Sequence, residues 1–237
     1  MKDKSLFIVA QGRSGSSLLL RLLNSIDGCH ICGENHNAMS NLSEFYFSLL
    51  RSEEHIPQIN GRFRTYSELS EFSKNISKSN KLTKQIYSGY EWYNVFDKDR
   101  ILASCRAIAL NMFNPSNSYK VWGFKEIRFG IEVGYKKFER DLDFLRLLSH
   151  ESKIIFLTRD IEQLLKSAWW AEAPEKSMEI LTKQRRKFER YYAQNLDSCY
   201  WIQYSDLVDR SQNLLGMYEF IEKEFCLDTY QRILERK

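Results

Sequence analysis

The sequence predicts a three-layer α/β fold: a central parallel sheet flanked by helices, with a long helical insertion. Three observations carry this expectation. Short apolar runs of strand length alternate with longer amphipathic runs of helical spacing along nearly the whole chain. Strand–helix alternation favours parallel pairing through right-handed crossovers, so both faces of the sheet are covered. The 237 residues hold only three prolines, without repeats or low-complexity tracts. No linker is visible, and one domain spanning residues 1–237 is expected.

The elements follow in order. "SLFIVA" reads as the first strand, "SSLLLRLLNSI" as a helix and "CHICGE" as the second strand. Helical spacing resumes over about 38–53, less cleanly near 65–78, and again over 98–113; the insertion spans about 38–113 and is expected to form a lid or acceptor-binding face. "YKVWGFKEI" (119–127) reads as the third strand, followed by a charged helix over 136–149. "KIIFLTR" (153–159) is the clearest strand. Helices over 161–171 and 175–194 precede "SCYWIQY" (198–204), a short strand that Tyr204 closes. "QNLLGMYEFIEKEF" and the tail "DTYQRILER" complete the helical set.

Composition narrows the function. The chain is 43% hydrophobic and 28% charged, enough for a core and a solvated surface. Its net charge of +4 suits small anionic ligands better than nucleic acid, which calls for a denser basic stripe. No stretch has the length of a membrane span or the form of a leader, and a cytoplasmic protein is expected. The five cysteines are scattered and odd in number, which fits free thiols. Cys29 and Cys32 form a C-x-x-C without a second pair to complete a zinc site, so structural thiols are expected.

The most informative stretch is "FIVAQGRSGSSLLL", a strand running into a helix through Gly12, Arg13, Ser14, Gly15, Ser16 and Ser17. A helix N-terminus carries unpaired N–H groups and partial positive charge. Two glycines let the backbone approach a ligand, the serines add hydroxyls and Arg13 adds a cation, which together form a phosphate cradle. A plain serine-capped turn is the alternative, but it requires neither the second glycine nor the arginine. The loop is P-loop-like without being the nucleotide triphosphatase loop, since no lysine follows the second glycine and the strand "IIFLTRD" ends in Arg159 rather than a magnesium-binding aspartate.

"GRSGSSLL" resembles the 5′-phosphosulfate loop of sulfotransferases that use 3′-phosphoadenosine-5′-phosphosulfate (PAPS). "FLTRDIEQLLKS" is similar to their 3′-phosphate segment, which implies that Arg159 and Ser167 bind that group. "IQYSDLV" is similar to a recurrent segment near the C-terminal end and implies a nucleotide contact at Tyr204. "CGEN" resembles the "CGEE" of the tyrosylprotein and bacterial glycan branch, which implies Glu34 as general base. "WGFKEIR" resembles the third-strand segment of that branch and implies that Lys125, with Arg13, stabilises the sulfonate. The resemblance thus implies PAPS as co-substrate, no metal and an acceptor hydroxyl. Three features depart from the pattern. Leu18 stands where cytosolic members stack a tryptophan on adenine. The tail "LDTYQRILERK" lacks their glycine-rich clamp. His36 and Ser40 replace arginines that hold an acidic peptide in the tyrosylprotein enzymes. A glycan acceptor follows from that branch and those absences, with His36 as an acceptor contact or rival base.

The candidates share one expected location. In an open parallel sheet, ligands bind beyond the carboxyl ends of the strands. Arg13, Glu34, Lys125, Arg159 and Tyr204 belong to five successive strand ends. Eight residues of continuous helix would separate Arg159 from Ser167 by roughly 12 Å along the axis, so a shared phosphate requires Arg159 to fold back from the strand. Aromatic residues at 86–96 and Trp169–Trp170 are candidates for core or for a sugar platform, and "KQRRKFER" (183–190) reads as a solvated basic face. The rival functions are a small-molecule kinase using ATP and magnesium, and a non-catalytic binding module built on the same fold.

Overall fold

The computed structural model describes residues 4–54, 66–81, 97–131 and 133–235. Its strands are β1 (Lys4–Ala10), β2 (Cys29–Cys32), β3 (Val121–Glu126), β4 (Glu151–Thr158) and β5 (Cys199–Gln203). They form one sheet in the order β2-β3-β1-β4-β5. Every pairing is parallel. The described helices are α1 (Ser16–Asn24), α2 (Ala38–Glu54), α3 (Tyr66–Ser77), α4 (Lys98–Phe113), α5 (Tyr135–Arg146), α6 (Ile161–Leu165), α7 (Pro174–Gln194), α8 (Tyr204–Asp209), α9 (Gln212–Phe220) and α10 (Leu227–Glu235), with a 3₁₀ turn at Ala168–Ala171. None is long and apolar enough to cross a membrane.

The two faces of the sheet bury different chemistry. Side chains alternate along a strand, so Leu6, Ile8 and Ala10 of β1 share one face, which packs on Leu19, Leu22 and Leu23 of α1, on Leu214 and Met217 of α9 and on Tyr230 of α10. Phe7 points the other way and meets Trp122 and Phe124 at ring centroid distances of 6.1 and 5.0 Å. Phe156 of β4 and Phe138 of α5 both pack on Phe188 of α7. One interface is thus mainly aliphatic and the other rich in edge-on and tilted rings, each such pair adding about 0.5–1.5 kcal/mol beyond its buried area.

The chain divides into two compact units, Met1–Ser40 with Ile108–Lys237, and Asn41–Ala107. The first contains the sheet and every candidate site residue. The second contains most of α2, all of α3 and the first part of α4. The aromatic run at 86–96 lies outside the described residues.

At the open edge of the sheet, Asn24 takes both backbone groups of Ile31, accepting from its N–H at 2.6 Å and donating to its carbonyl at 2.9 Å. The edge strand β2 is thereby blunted against pairing with another chain. Cys29 and Cys32 sit three positions apart on β2, hence on opposite faces. All five thiols are free, and burial pushes Cys29 up to about 11 and Cys199 up to about 12.

Several boundaries differ from the sequence expectation. β2 stops at Cys32 and leaves Glu34 on a loop, in which His36 and Asn37 adopt left-handed conformations (φ 53° and 62°). The helix expected over 161–171 breaks after Leu165, where Ser167 is extended and Ala168 left-handed (φ 48°). The helix expected to 149 stops at Arg146. Tyr204 does not close β5. It opens α8, whose Gln203–Asp206 capping box ends the strand one residue earlier.

Candidate functional site

The loop between β1 and α1 is built by its own backbone. Arg13 is left-handed (φ 68°), as is Gly15 (φ 92°), which precedes α1 with no side chain capping the helix. The Ser14 hydroxyl is fully buried and donates to the Gln11 carbonyl at 2.7 Å. The expectation of three ligand-facing serines is therefore corrected for Ser14, whose hydroxyl is committed inside the turn. Ser16 and Ser17 line a cavity of about 320 Å³ that opens at the N-terminus of α1. Gly12 is not among its lining residues, and its carbonyl accepts from the Trp170 indole at 3.0 Å.

Glu34 enters the cavity wall from the loop after β2, and Lys125 from β3. Lys125 is 7% exposed, and its Nζ donates to Glu34 Oε1 at 2.6 Å. Arg128 donates through Nη1 to Glu34 Oε2 at 2.9 Å. Partial burial acts to raise the Glu34 carboxyl, but the hydrogen bonds and charges of Lys125 and Arg128 outweigh it and hold Glu34 below the ordinary carboxylate value. The group is therefore ionised at neutral pH.

Behind this pair lies a carboxylate that the sequence reading passed over. Glu126 is fully buried. Its Oε2 accepts from the N–H groups of Asn35 and Asn37, and its Oε1 from those of Ile127 and Arg128 and from Arg128 Nη1. A single buried side chain thus fixes the loop on which Glu34 sits and the segment that follows Lys125. Only its place beside Lys125 at the end of the apolar run "VWGF" could have signalled it, since a buried charge requires partners.

The β4 end supplies the other cation. Arg159 stacks its guanidinium over the Tyr204 ring, 4.3 Å from the centroid. Its Nη1 donates to the Arg13 carbonyl at 3.5 Å and its Nε to Gln163 at 3.0 Å. Ser167 meets Arg13 instead, accepting from its Nε at 3.2 Å, and is not among the cavity-lining residues. Trp169, 48% exposed, does line the cavity, with the Arg13 guanidinium 5.9 Å from its ring. Trp170 is buried against Leu164 and Leu181.

The run at 183–190 is not simply a solvated face. Gln184 donates to the carbonyls of Ile127 and Phe129, Lys187 to those of Gly130 and Val133, and Arg185 to that of Arg159. Helix α7 is thereby strapped to the segment after β3 and to the end of β4, the two places that carry Lys125 and Arg159.

The cavity collects Arg13, Gly15, Ser16, Ser17, Glu34, Lys125, Arg159 and Tyr204 from all five strand ends. Arg21, Trp169 and an apolar side of Leu18, Val208 and Leu234 complete much of the rest. The sequence reading did not assign Arg21, which faces the cavity one helical turn beyond Ser17. His36 is exposed and is not among the lining residues. Among the described residues, no group of three or more His, Cys, Asp or Glu is assembled to hold a metal ion.

Such a site, a cation-lined hollow at the carboxyl edge of a parallel sheet with one carboxylate in its wall, marks an α/β protein whose hollow suits a small phosphorylated or sulfated anion. Likeness to known proteins sharpens the class. A family model described as the sulfotransferase family matches residues 5–225, and the chain belongs to that family. Members transfer a sulfonate from a donor to a hydroxyl-bearing acceptor. Among solved structures, the sulfotransferase domain from the Synechococcus PCC 7002 olefin synthase is 16% identical, with TM-score 0.51, covering 97% of this chain and 77% of that one. The sulfotransferase domain from the curacin biosynthetic pathway is 17% identical, with TM-score 0.48, covering 96% and 76%. At 16% identity the likeness to the olefin synthase domain is one of fold alone. No curated protein matches the chain.

Proposed function

We propose that this sulfotransferase takes its sulfonate from PAPS and delivers it to a carbohydrate hydroxyl, with Glu34 as general base. The observation that carries the reading is the 2.6 Å contact between Glu34 and Lys125 in the wall of the cavity onto which the glycine loop opens. A base and a sulfonate-stabilising cation have to stand side by side where an acceptor hydroxyl meets a sulfur atom.

PAPS fits the residues present. The uncapped start of α1, with Ser16, Ser17 and Arg13, suits the 5′-phosphosulfate. Arg159 suits the 3′-phosphate, and the side formed by Leu18, Val208 and Leu234 suits the base. Bound there, PAPS supplies an activated sulfonate on a phosphate leaving group. Glu34 accepts the acceptor's proton, while Arg13 and Lys125 offset negative charge on the sulfonate and bridging oxygens. Fixed guanidinium and ammonium groups can serve there without a metal ion.

A carbohydrate acceptor is supported by two features. The positions that would hold an acidic peptide are His36 and Ser40, and the Ser40 hydroxyl is engaged with Asp141 at 2.6 Å. The half-exposed Trp169 ring offers a flat apolar surface on the cavity wall. An acceptor panel of glycans, tyrosyl peptides, phenols and lipids with radiolabelled PAPS tests this part. Label on peptide or phenol but not on glycan overturns it.

Donor choice has its own test. Adenosine 3′,5′-bisphosphate at a hundred times its Kd is expected to stabilise the protein by about 2.7 kcal/mol in a thermal-shift assay, with ATP–magnesium giving no comparable gain. A shift with ATP–magnesium alone moves the reading to a kinase. The loop has a sharper handle in Gly15, because a Cβ there would overlap the Tyr204 ring on which Arg159 stacks. Gly15→Ala adds about 1–2 kcal/mol of left-handed strain. It is expected to lower Tm by several degrees and to weaken bisphosphate binding at least about tenfold by calorimetry.

A further inference from the structure

The two oxygens of Glu34 are held by different kinds of partner. Lys125, on Oε1, lines the cavity; Arg128, on Oε2, is not among the lining residues. An anionic donor arriving in the cavity can draw Lys125 towards itself but has no such access to Arg128. The guanidinium is itself anchored, because the same Nη1 that meets Glu34 also donates to Glu126 Oε1 at 3.1 Å. Glu126 in turn accepts from the backbone of Asn35 and Asn37, just after Glu34, and from the backbone of Arg128. Breaking the contacts to Glu126 leaves a fully buried carboxylate short of donors, so that end of the assembly resists rearrangement.

We propose that Arg128, fixed by the buried Glu126, is the positioning residue of the general base, holding the Glu34 carboxylate in place once Lys125 has turned to the sulfonate. This rests on the reading of Glu34 as base. The charged groups around Glu34 are Lys125 from β3 and Arg128 from the segment after it, with Arg13 from the β1 loop, Arg21 from α1 and Arg159 from the end of β4 lining the same cavity. The flanking acid Glu126 is already saturated with donors. Because a cation beside a carboxylate favours its charged form, loss of Arg128 must raise the pKa at which Glu34 becomes competent.

The test compares wild type, Arg128→Gln and Arg128→Lys. It reads pH profiles of kcat/KM, the separate kcat and donor KM, and carboxyl titrations of ¹³C-labelled glutamate with adenosine 3′,5′-bisphosphate bound. In Arg128→Gln the acid limb and the Glu34 titration are expected to move to higher pH together by about one unit, with kcat down about tenfold and donor KM within about twofold of wild type. Arg128→Lys keeps the charge but its nitrogen ends one bond short of Nη1, the atom that bridges the two carboxylates. It is expected to restore the limb and to leave kcat reduced several-fold. A folded Arg128→Gln with neither limb nor titration moved overturns the proposal. If the titration moves while the limb stays, Glu34 is not the base, and the failure lies in the reading beneath. Should Arg128→Gln not fold, Arg128→Lys decides the matter: reduced kcat with unchanged donor KM supports the role, and unchanged kcat overturns it.

Discussion

Glu34→Gln is expected to lower kcat by about 10²–10⁴-fold, the range lost when a positioned general base is removed. The substitution keeps the shape and one carbonyl acceptor for Lys125, yet it cannot take the acceptor's proton. Binding of adenosine 3′,5′-bisphosphate is expected to stay within a few-fold of wild type, because the groups assigned to the nucleotide belong to the β1 loop and the ends of β4 and β5. His36→Ala is the control. That ring is exposed and outside the cavity lining, and its loss is expected to change kcat by less than about twofold, against the large factor expected of a base. Single-turnover transfer with radiolabelled PAPS separates the two variants, and an unchanged rate in Glu34→Gln removes Glu34 as the base.

Gly123→Ala is expected to cost more than about 3 kcal/mol of stability, at the upper end of the range for overpacked sites. Gly123 lies in β3 directly opposite Leu6 of β1. A Cβ built on it would collide with the Leu6 carbonyl oxygen, and the two central strands cannot part cheaply. The expected fall in Tm is roughly 6–12 °C for a chain of this size, read by calorimetry or circular dichroism. Function is tied to the same contact. Two residues on, Lys125 pairs in register with Ile8, three residues before the β1 loop begins at Gln11. Separating β3 from β1 therefore moves Lys125 away from the loop carrying Arg13. A fall in turnover larger than the unfolded fraction explains would register that displacement, and a wild-type melting temperature would refute the clash.

Much of the fold could be read in advance because its signals are local. "SLFIVA" and "KIIFLTR" announce strands by their apolar runs, and the glycine–serine loop between "FIVA" and "LLLRLL" announces a strand-to-helix turn by its spacing. The places where the reading missed are governed by contacts distant in sequence. The break after Leu165 is accompanied by the Ser167 contact with Arg13 and the Trp170 contact with Gly12. α7 looked like a charged surface because three of its side chains find their carbonyls 26–57 positions away. Ser14 could not be told from Ser16 or Ser17 by type, since only the turn geometry decides which hydroxyl faces inward.

From the sequence alone came the alternation that dictates a parallel sheet, the order of strand ends that sends Arg13, Glu34, Lys125 and Arg159 to one edge, and the loop chemistry suited to an anion. These follow from periodicity and from the rule that ligands sit at the carboxyl ends of parallel strands, neither of which requires knowing who touches whom. Only the tertiary structure decided the strand order β2-β3-β1-β4-β5, the pairing of Glu34 with Lys125 and Arg128, and the role of Glu126 behind them. The physical reason is the cost of burying charge: a carboxylate taken out of water has to gather donors from whatever segments the fold brings near it. Those segments are β2, β3 and the turns after each, about ninety residues apart in the chain.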